Sequence, residues 1–259
     1  MSMNKLEELF AKKQQNILNI YCTAGFPKLD STAELLLALQ HAGADIIELG
    51  IPYSDPVADG PVIQQSNMQA LQNGMTIGLL FEQLAAVKDQ LHLPVVLMGY
   101  INPVLQYGVE RFCEMAAACG VAGIILPDLP MYEFEKNYRH IFKQYGLHAI
   151  FLISPHTSKE RIQKADALSD GFLYAVSSSS VTGTVNTGED QEGYFRKIKN
   201  MKLRNPVLIG FGIRDKAGFE QAARYAAGGI IGTAFISHIA AAPHLGQAAG
   251  EFIAAIRGN

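Results

Sequence analysis

The sequence predicts a single-domain (β/α)8 barrel, or TIM barrel, over residues 1–259, with an extra N-terminal helix. Three observations predict this fold. Eight short apolar or β-branched runs occur along the chain, amphipathic segments of helical spacing alternate with them, and no linker or change of composition interrupts the series. Apolar runs of this length suit strands that are buried on both faces of a parallel sheet. Eight β-then-α units in succession are typical of a closed barrel.

The strand candidates share a β-branched or aliphatic composition and lengths of a few residues. They are Ile17–Thr23, Asp45–Leu49, Val95–Tyr100, Ala122–Leu126, His148–Ile153, Gly171–Val176, Val207–Gly210 and Gly229–Ile231. The helical segments are Ala33–Ala42, Gly78–Leu91, Val109–Cys119, Glu133–Tyr145, Lys159–Leu168, Glu192–Met201, Lys216–Ala226 and His244–Ile256. A further helix over Met3–Gln14 is expected to cover the floor of the barrel, the end at which the strands begin.

A capping signal marks the start of the first helical segment after strand one. Asp30 and Ser31 precede it, and Glu34 follows Ser31 by three positions, which is the spacing of a capping box. The alternative fold is an open, doubly wound sheet. Such a sheet usually carries a GxGxxG motif after its first strand, and none occurs there in this chain.

The charge balance and the hydropathy pattern exclude two classes of partner. The net charge is −3, which argues against nucleic acid as the main ligand. The most lipid-like stretch, Ala222–Ala242, contains Arg224, His238 and the glycine pair at 228–229. We therefore interpret it as a helix, a strand and a second helix, not as a membrane span.

The three cysteines indicate a reducing compartment. Cys22, Cys113 and Cys119 are odd in number and form no CxxC pair, which argues against a disulfide framework or a zinc site. A cytoplasmic location is the simplest expectation. All three are interpreted as small core residues, although Cys22 ends a strand and could also lie near a site.

The strongest functional signal is the stretch from Glu48 to Pro61, which begins inside a buried strand. Glu48 interrupts an apolar run, and an ionisable group there is costly unless it is paired or used. Burial raises the pKa of a carboxyl, which suits a group that gives and takes a proton near neutral pH. Asp55 and Asp59 project from the proline-rich loop that follows. Aspartates before proline or glycine also cap ordinary turns, and for Asp55 that reading is equally good.

A second signal is glycine at the ends of three consecutive strands. Gly183 follows strand six, Gly210 and Gly212 follow strand seven, and Gly232 follows strand eight, just before a short helix that starts at Thr233. Backbone N–H groups in such turns form anion sites, and barrels often bind phosphate between the seventh and eighth loops. Tight turns that need glycine for a positive φ are the alternative reading.

The sequence lacks the residues that two kinds of catalysis require. No lysine lies in any strand candidate, so a Schiff-base mechanism has no nucleophile. The seven histidines show no metal-ligand spacing, and only His148 falls in a strand run, near its start. His148 is therefore expected in the core or at the floor, and no metal site is predicted.

At these residues the chain resembles the tryptophan synthase alpha chain family over nearly its whole length. The resemblance is carried by Glu48 to Gln64, by Val181 to Gly183, by Gly210 to Ile213 and by Gly232 to Ala234. It implies a lyase that cleaves indole-3-glycerol phosphate to indole and glyceraldehyde 3-phosphate by a retro-aldol reaction. It implies no cofactor in this chain, and a pyridoxal-phosphate beta chain as partner in an αββα complex.

The resemblance also assigns roles to residues of this chain. Glu48 would move protons between the indole C3 atom and a glycerol hydroxyl, and Asp59 would contact the indole N–H. Tyr174 would be a further site residue. The indole pocket would be lined by Tyr21, Ile63, Met98, Ile125, Leu152 and Phe211, and the phosphate would be bound by Gly183, Gly212, Gly232 and Thr233. The partner would be contacted by Pro52, Asp55, Pro56, Asn102, Leu105, Asp128 and Pro130.

One loop departs from the common family pattern. Ser178 stands where many members have arginine, and Ser180 stands where many have glycine. The resemblance makes this loop the mobile lid, so its closing contacts are expected to differ here.

Two other functions are compatible with parts of the pattern. A phosphate-binding barrel isomerase would need its acid/base pair on strands one and six or seven, whereas the carboxylates here cluster after strand two. A non-catalytic subunit that only activates a partner would not need the pair Glu48 and Asp59.

Overall fold

The strands form a closed, all-parallel barrel in which each strand pairs with its neighbour in the sequence and the last pairs with the first. The computed structural model describes residues 3–56, 59–177, 188–210 and 212–258, with the backbone alone for residues 188–190. The strands are β1 (Ile17–Thr23), β2 (Ile46–Gly50), β3 (Val95–Met98), β4 (Val121–Ile125), β5 (His148–Ile153), β6 (Leu173–Val176), β7 (Val207–Gly210) and β8 (Gly228–Ile231). The predicted barrel and its strand order are confirmed.

Helices surround the barrel, and one precedes it. They are α1 (Lys5–Lys12), α2 (Ser31–Ala42), α3 (Pro61–Gln72), α4 (Ile77–Val87), α5 (Ile101–Tyr107), α6 (Val109–Ala118), α7 (Met131–Glu133), α8 (Arg139–Gln144), α9 (Lys159–Leu168), α10 (Gly188–Asn200), α11 (Lys216–Tyr225), α12 (Thr233–Ile239) and α13 (Leu245–Arg257). A π-helical turn, Phe134–Tyr138, joins α7 to α8, where the sequence predicted one regular helix.

Two helices, α3 and α5, were not predicted because their prolines were interpreted as loop residues. Pro61 is the first residue of α3, a position at which the missing N–H costs nothing. Pro103 lies in the first turn of α5, where the backbone N–H groups have no partner within the helix. These prolines therefore begin helices at the mouth of the barrel, the end at which the strands finish.

The predicted capping box at α2 is wrong. Asp30 is the N-cap residue, it makes no side-chain capping bond, and Ser31 is already helical. The Ser31 hydroxyl instead accepts a hydrogen bond from the backbone N–H of Lys28 at 3.1 Å. The preceding turn uses the hydroxyl that the capping box would need.

The floor of the barrel is closed by α1. Leu6 is fully buried, and its Cδ1 atom lies 3.3 Å and 3.0 Å from where a Cβ would stand on Gly123 and Gly171. These two glycines make room for the leucine. His148, the first residue of β5, is buried beside α1 with its Nε2 atom 3.2 Å from Glu7 Oε1, which confirms a histidine at the floor.

Asp45, directly before β2, ties the two ends of the chain to the barrel. Its carboxylate accepts hydrogen bonds from Lys13 Nζ at 2.7 Å, from Arg257 Nη2 at 2.7 Å and from the backbone N–H of Leu18 at 2.8 Å. Three such donors offset the free-energy cost of removing a partly buried carboxylate from water. The packing of Leu6 and the contacts of Asp45 thus stabilise the floor. The residues at the mouth are not needed for these contacts.

The stretch Ala222–Ala242 folds as the end of α11, then β8 and then α12, as predicted. Within the described ranges, no helix has the length and apolar character needed to cross a bilayer.

Candidate active site

A cleft of about 320 Å³ opens at the mouth of the barrel. Nine of the predicted site residues line it, drawn from strands at both ends of the chain. They are Tyr21, Glu48, Asp59, Ile63, Met98, Tyr174, Gly212, Gly232 and Thr233. The closed barrel brings them together, because β8 pairs with β1 and so joins the glycine loops to the carboxylates.

Glu48 lies in β2 between Tyr21 of β1 and Val96 of β3, and only 1% of its surface is exposed. Its Oε2 atom accepts a hydrogen bond from Asn19 Nδ2 at 3.1 Å. Burial raises the pKa of Glu48 to about 8, although the Asn19 bond lowers it, and the nearby Asp59 raises it further. At neutral pH this carboxyl therefore holds a proton that it can release.

Asp59 lies on the loop between β2 and α3 and is half-buried. Its Oδ2 atom accepts a hydrogen bond from the Tyr100 hydroxyl at 3.3 Å. Its backbone carbonyl accepts another from Gln64 Nε2 at 2.8 Å. Burial raises the pKa of Asp59, whereas hydrogen bonds from Tyr100 and Asn67 lower it. Burial thus raises the pKa of both carboxyls, but Asp59 has two opposing side-chain hydrogen bonds where Glu48 has one.

Two tyrosines are placed by glycines on neighbouring strands. A Cβ on Gly50 would collide with the phenol of Tyr21, and a Cβ on Gly210 would collide with the ring of Tyr174. Both rings are buried, which raises the pKa of each phenol. Gly210 therefore makes room for Tyr174, a role different from the turn or anion site that the sequence suggested.

The glycine loops that follow β7 and β8 contribute Gly212 and Gly232 to the cleft. Gly212 has a φ of +85°, a conformation that favours glycine. Gly232 has a φ of −117° as the residue before α12, and a Cβ there would meet only ordinary contacts. Neither backbone strain nor packing requires a glycine at this position. Arg214, a cationic residue two positions after Gly212, also lines the cleft.

Comparison with known proteins identifies the family. The sequence model described as tryptophan synthase alpha chain matches residues 7–256. The tryptophan synthase alpha chain of Flavobacterium johnsoniae is 49% identical over 238 residues, covering 92% of this chain and 94% of that protein. This chain belongs to the tryptophan synthase alpha chain family.

Solved structures agree with this. The tryptophan synthase alpha chain of Legionella pneumophila has a TM-score of 0.90 at 32% identity and covers 99% of this chain and 97% of its own. A chain of the tryptophan synthase complex of Pyrococcus furiosus has a TM-score of 0.85 at 33% identity, covering 95% of this chain and 99% of its own. Family membership rules out the isomerase alternative.

Two residues expected in the indole pocket, Ile125 and Leu152, are not among the described residues that line the cleft. Ile125 is fully buried next to Met98 of the neighbouring strand. Leu152 pairs with Tyr174 in the sheet but is absent from the described lining. Phe211, Gly183, Ser178 and Ser180 lie outside the described residues.

Other residues of the cleft were not predicted from the sequence. Val62, Ile213 and Ile230 also line the cleft, as does Arg214. Among the residues that hold the carboxyls, Asn19 carried a signal that could have found it, since it is a polar residue inside an apolar strand run, as Glu48 is. Tyr100 gave no such signal, because its contact with Asp59 joins two separate loops.

The predicted partner surface of the alpha chain forms one rim at the mouth. Asn102 Nδ2 donates to the Tyr53 hydroxyl at 3.4 Å, and the Asp128 carboxylate accepts from the backbone N–H of Ile101 at 2.9 Å. Asp55, Asn102, Leu105, Asp128 and Pro130 are exposed, Pro56 is half-exposed and Pro52 is buried. Pro52 therefore contributes little surface to this rim.

The described part of the chain contains no group of three His, Cys, Asp or Glu side chains arranged to hold a metal ion. The cysteines Cys22, Cys113 and Cys119 are all free and buried, in keeping with the core role predicted for them. Burial raises the pKa of Cys22 to about 12, so its thiol is protonated at neutral pH.

The raised pKa of Glu48 predicts a pH-dependent stability that Glu48→Gln should remove. The ordinary carboxyl value is 4.5 and the folded value is about 8, so between these pH values the folded chain holds a proton that the unfolded chain has lost. Stability therefore falls as pH rises through this window. Urea unfolding at pH 9 should show Glu48→Gln more stable than the wild type by roughly 5 kcal/mol, with a much smaller difference at pH 5.

The matched control is Glu82→Gln, which changes an exposed glutamate on α4. It should keep the wild-type dependence on pH. Equal stability of Glu48→Gln and the wild type at both pH values would show that Glu48 is not held protonated by the fold.

Proposed function

We propose that Glu48 and Asp59 together carry out the reaction of this family in the cleft at the mouth of the barrel. The protein is a carbon–carbon lyase that cleaves indole-3-glycerol phosphate to indole and glyceraldehyde 3-phosphate in tryptophan biosynthesis. One observation carries the assignment of residues. Glu48 is a fully buried carboxyl with a pKa of about 8, and it opens into a cleft that it shares with a second carboxyl.

Glu48 acts first as an acid and then as a base. Its carboxyl donates a proton to C3 of the indole ring, and the ring becomes positively charged. The resulting carboxylate accepts the proton of the hydroxyl on the glycerol carbon attached to C3. The carbon–carbon bond then breaks, its electron pair returns to the ring, and the glycerol carbon becomes an aldehyde. One proton is given and one is taken, so Glu48 ends in its starting state.

Asp59 stabilises the charge that this sequence creates. When C3 is protonated, the positive charge is shared with the ring nitrogen, whose N–H becomes a stronger donor. A carboxylate that accepts this N–H stabilises the charged state more than the neutral substrate, which is the condition for catalysis. Burial raises the pKa of Asp59, and the hydrogen bonds from Tyr100 and Asn67 oppose this effect and favour the ionised form that this role needs.

The shape of the cleft suits the two ends of the substrate. Apolar side chains such as Ile63, Met98 and Ile230 supply the contact area for a flat, apolar indole ring. We assign the phosphate to Gly212, Gly232 and Thr233, which line the same cleft at the start of α12, together with the cationic Arg214. Because neither strain nor packing accounts for the glycine at position 232, close approach of a phosphate to its backbone is the reading we favour.

A beta chain that carries pyridoxal phosphate is the proposed partner, within an αββα complex. Indole is small and apolar, so an enzyme that released it into solvent would lose it. The exposed rim formed by Asp55, Asn102, Leu105, Asp128 and Pro130 lies on the loops after β2, β3 and β4, at one side of the mouth. The relative from Pyrococcus furiosus was solved as a tryptophan synthase complex. The free cysteines support a reducing, cytoplasmic location.

The two carboxyls should be essential for turnover but not for folding. Glu48→Gln and Asp59→Asn keep the size of each side chain and remove its ability to transfer a proton or carry a charge. Each should lower the rate of indole formation by about 10²–10⁴-fold, while circular dichroism stays that of the wild type. Near wild-type turnover of Glu48→Gln would refute the assignment.

A negative charge at position 232 should weaken phosphate binding selectively. Gly232→Asp places a carboxylate where the anion is expected, and Gly232→Ala is the matched control because the backbone there accepts a Cβ. Gly232→Asp should raise KM for indole-3-glycerol phosphate roughly 10-fold or more, with little change in the binding of indole itself. Equal weakening of both ligands would place the phosphate elsewhere.

The rim should couple partner binding to catalysis. Adding beta chain to the alpha chain should raise retro-aldol turnover to a plateau at an equal molar ratio. Asp55→Ala should reduce that stimulation more than it reduces the activity of the alpha chain alone. Asp89→Ala, an exposed aspartate between α4 and β3, should behave as the wild type. If no beta chain stimulates turnover and sedimentation detects no complex, this chain works without such a partner.

A further inference from the structure

Asn19 is a fully buried amide in the middle of β1. It precedes Tyr21 by two positions, so both side chains lie on the same face of the strand. Tyr21 pairs with Glu48 across the sheet, and both line the cleft. Asn19 therefore lies one layer deeper than the proton-transfer group, on the side toward the floor.

The hydrogen bonds of Asn19 show which group determines the orientation of its amide. Asn19 Nδ2 donates to Glu48 Oε2 at 3.1 Å, whereas the buried Oδ1 atom has no partner among the described residues. A buried acceptor without a partner destabilises the fold. The opposite orientation would set the amide oxygen against Oε2 in the carboxylate that forms between the two proton transfers. The hydrogen bond to Glu48 therefore fixes the orientation of the amide, and it leaves Oδ1 without a partner among the described residues.

We propose that Asn19 is a positioning residue for the proton shuttle: it keeps Glu48 Oε2 as an acceptor and so leaves Oε1 as the oxygen that carries the mobile proton. This inference rests on the proposed role of Glu48. With Oε2 engaged, a single oxygen both gives the proton to the ring carbon and receives the one from the glycerol hydroxyl. The N–H bond also favours the carboxylate that forms between these two transfers.

The proposal separates the effect of Asn19 on rate from its effect on stability. An apolar residue at this position removes an unpartnered acceptor from the core, so it should leave stability unchanged or improve it. Asn205 is a buried asparagine that differs in this respect. Its Nδ2 atom donates to the backbone carbonyl of Asp166 at 2.7 Å and to Asp166 Oδ1 at 2.9 Å, far from the cleft.

The experiment compares Asn19→Val with the control Asn205→Val in the full-length chain. Asn19→Val should lower kcat about 10–100-fold with KM changed less than about twofold, and with an unfolding midpoint no lower than that of the wild type. Loss of the donor should raise the pKa of Glu48, so the fall of kcat/KM at alkaline pH should move up by about one pH unit. Asn205→Val should lower the unfolding midpoint and leave the pH profile in place.

A second variant gives an independent test. Asn19→Asp keeps the shape of the side chain but replaces the amide donor by a carboxyl group. It should therefore also lower kcat and move the alkaline fall of kcat/KM to higher pH. Wild-type kcat in either variant, with kcat/KM falling at the same alkaline pH as in the wild type, would overturn the proposal.

Loss of stability in Asn19→Val, with the alkaline fall of kcat/KM unchanged, would make Asn19 purely structural. If Glu48→Gln were active, the proposed function itself would fail, whereas an inactive Glu48→Gln with unaltered Asn19 variants would refute only this inference.

Discussion

The burial of one carboxyl, that of Glu48, is the constraint on which the rest of the site depends. Removing an ionisable group from water disfavours its charged form, so the folded chain holds Glu48 protonated at a pH where a free glutamate is ionised. The same burial that costs stability supplies the proton for the chemistry. Asn19 beneath it and Asp59 beside it act in opposite directions on its pKa, and together they set how readily that proton is released.

Such a destabilising group is tolerated because the barrel is fixed at its other end. The floor is filled by Leu6 between two glycines, and the carboxylate of Asp45 joins α1, the start of β2 and α13. The two ends of the barrel thus have separate tasks, as is usual for this architecture. Asp45, directly before β2, and Glu48, within it, illustrate the difference, because they stand only three residues apart. The first has three donors and the second has one.

The sequence predicted the features that local pattern determines, and it missed those that depend on tertiary contact. Strand runs and the ionisable residue inside one of them are visible in the order of residues, so the barrel and Glu48 were predictable. The helices that begin near Pro61 and Pro103 were missed because a proline signals a loop and the first turn of a helix equally well. The role of Gly210 could not be predicted, since it depends on the ring of Tyr174 one strand away. Asn19, like Glu48, is a polar residue inside an apolar strand run. The role of a buried amide can be inferred only once its hydrogen-bond partner is known.

The contacts around Asp59 give the proposed coupling to a partner a physical route. The Tyr100 hydroxyl that bonds Asp59 belongs to the residue directly before α5, and the next residue, Ile101, is held by Asp128. The ring of Tyr53 lies 5.3 Å from that of Tyr100, centre to centre, and its hydroxyl accepts from Asn102. Three successive loops at the mouth are therefore linked, and their exposed ends form the rim. A partner that binds this rim and shifts the start of α5 would move the Tyr100 hydroxyl that donates to Asp59. This would change the stability of the carboxylate that faces the substrate.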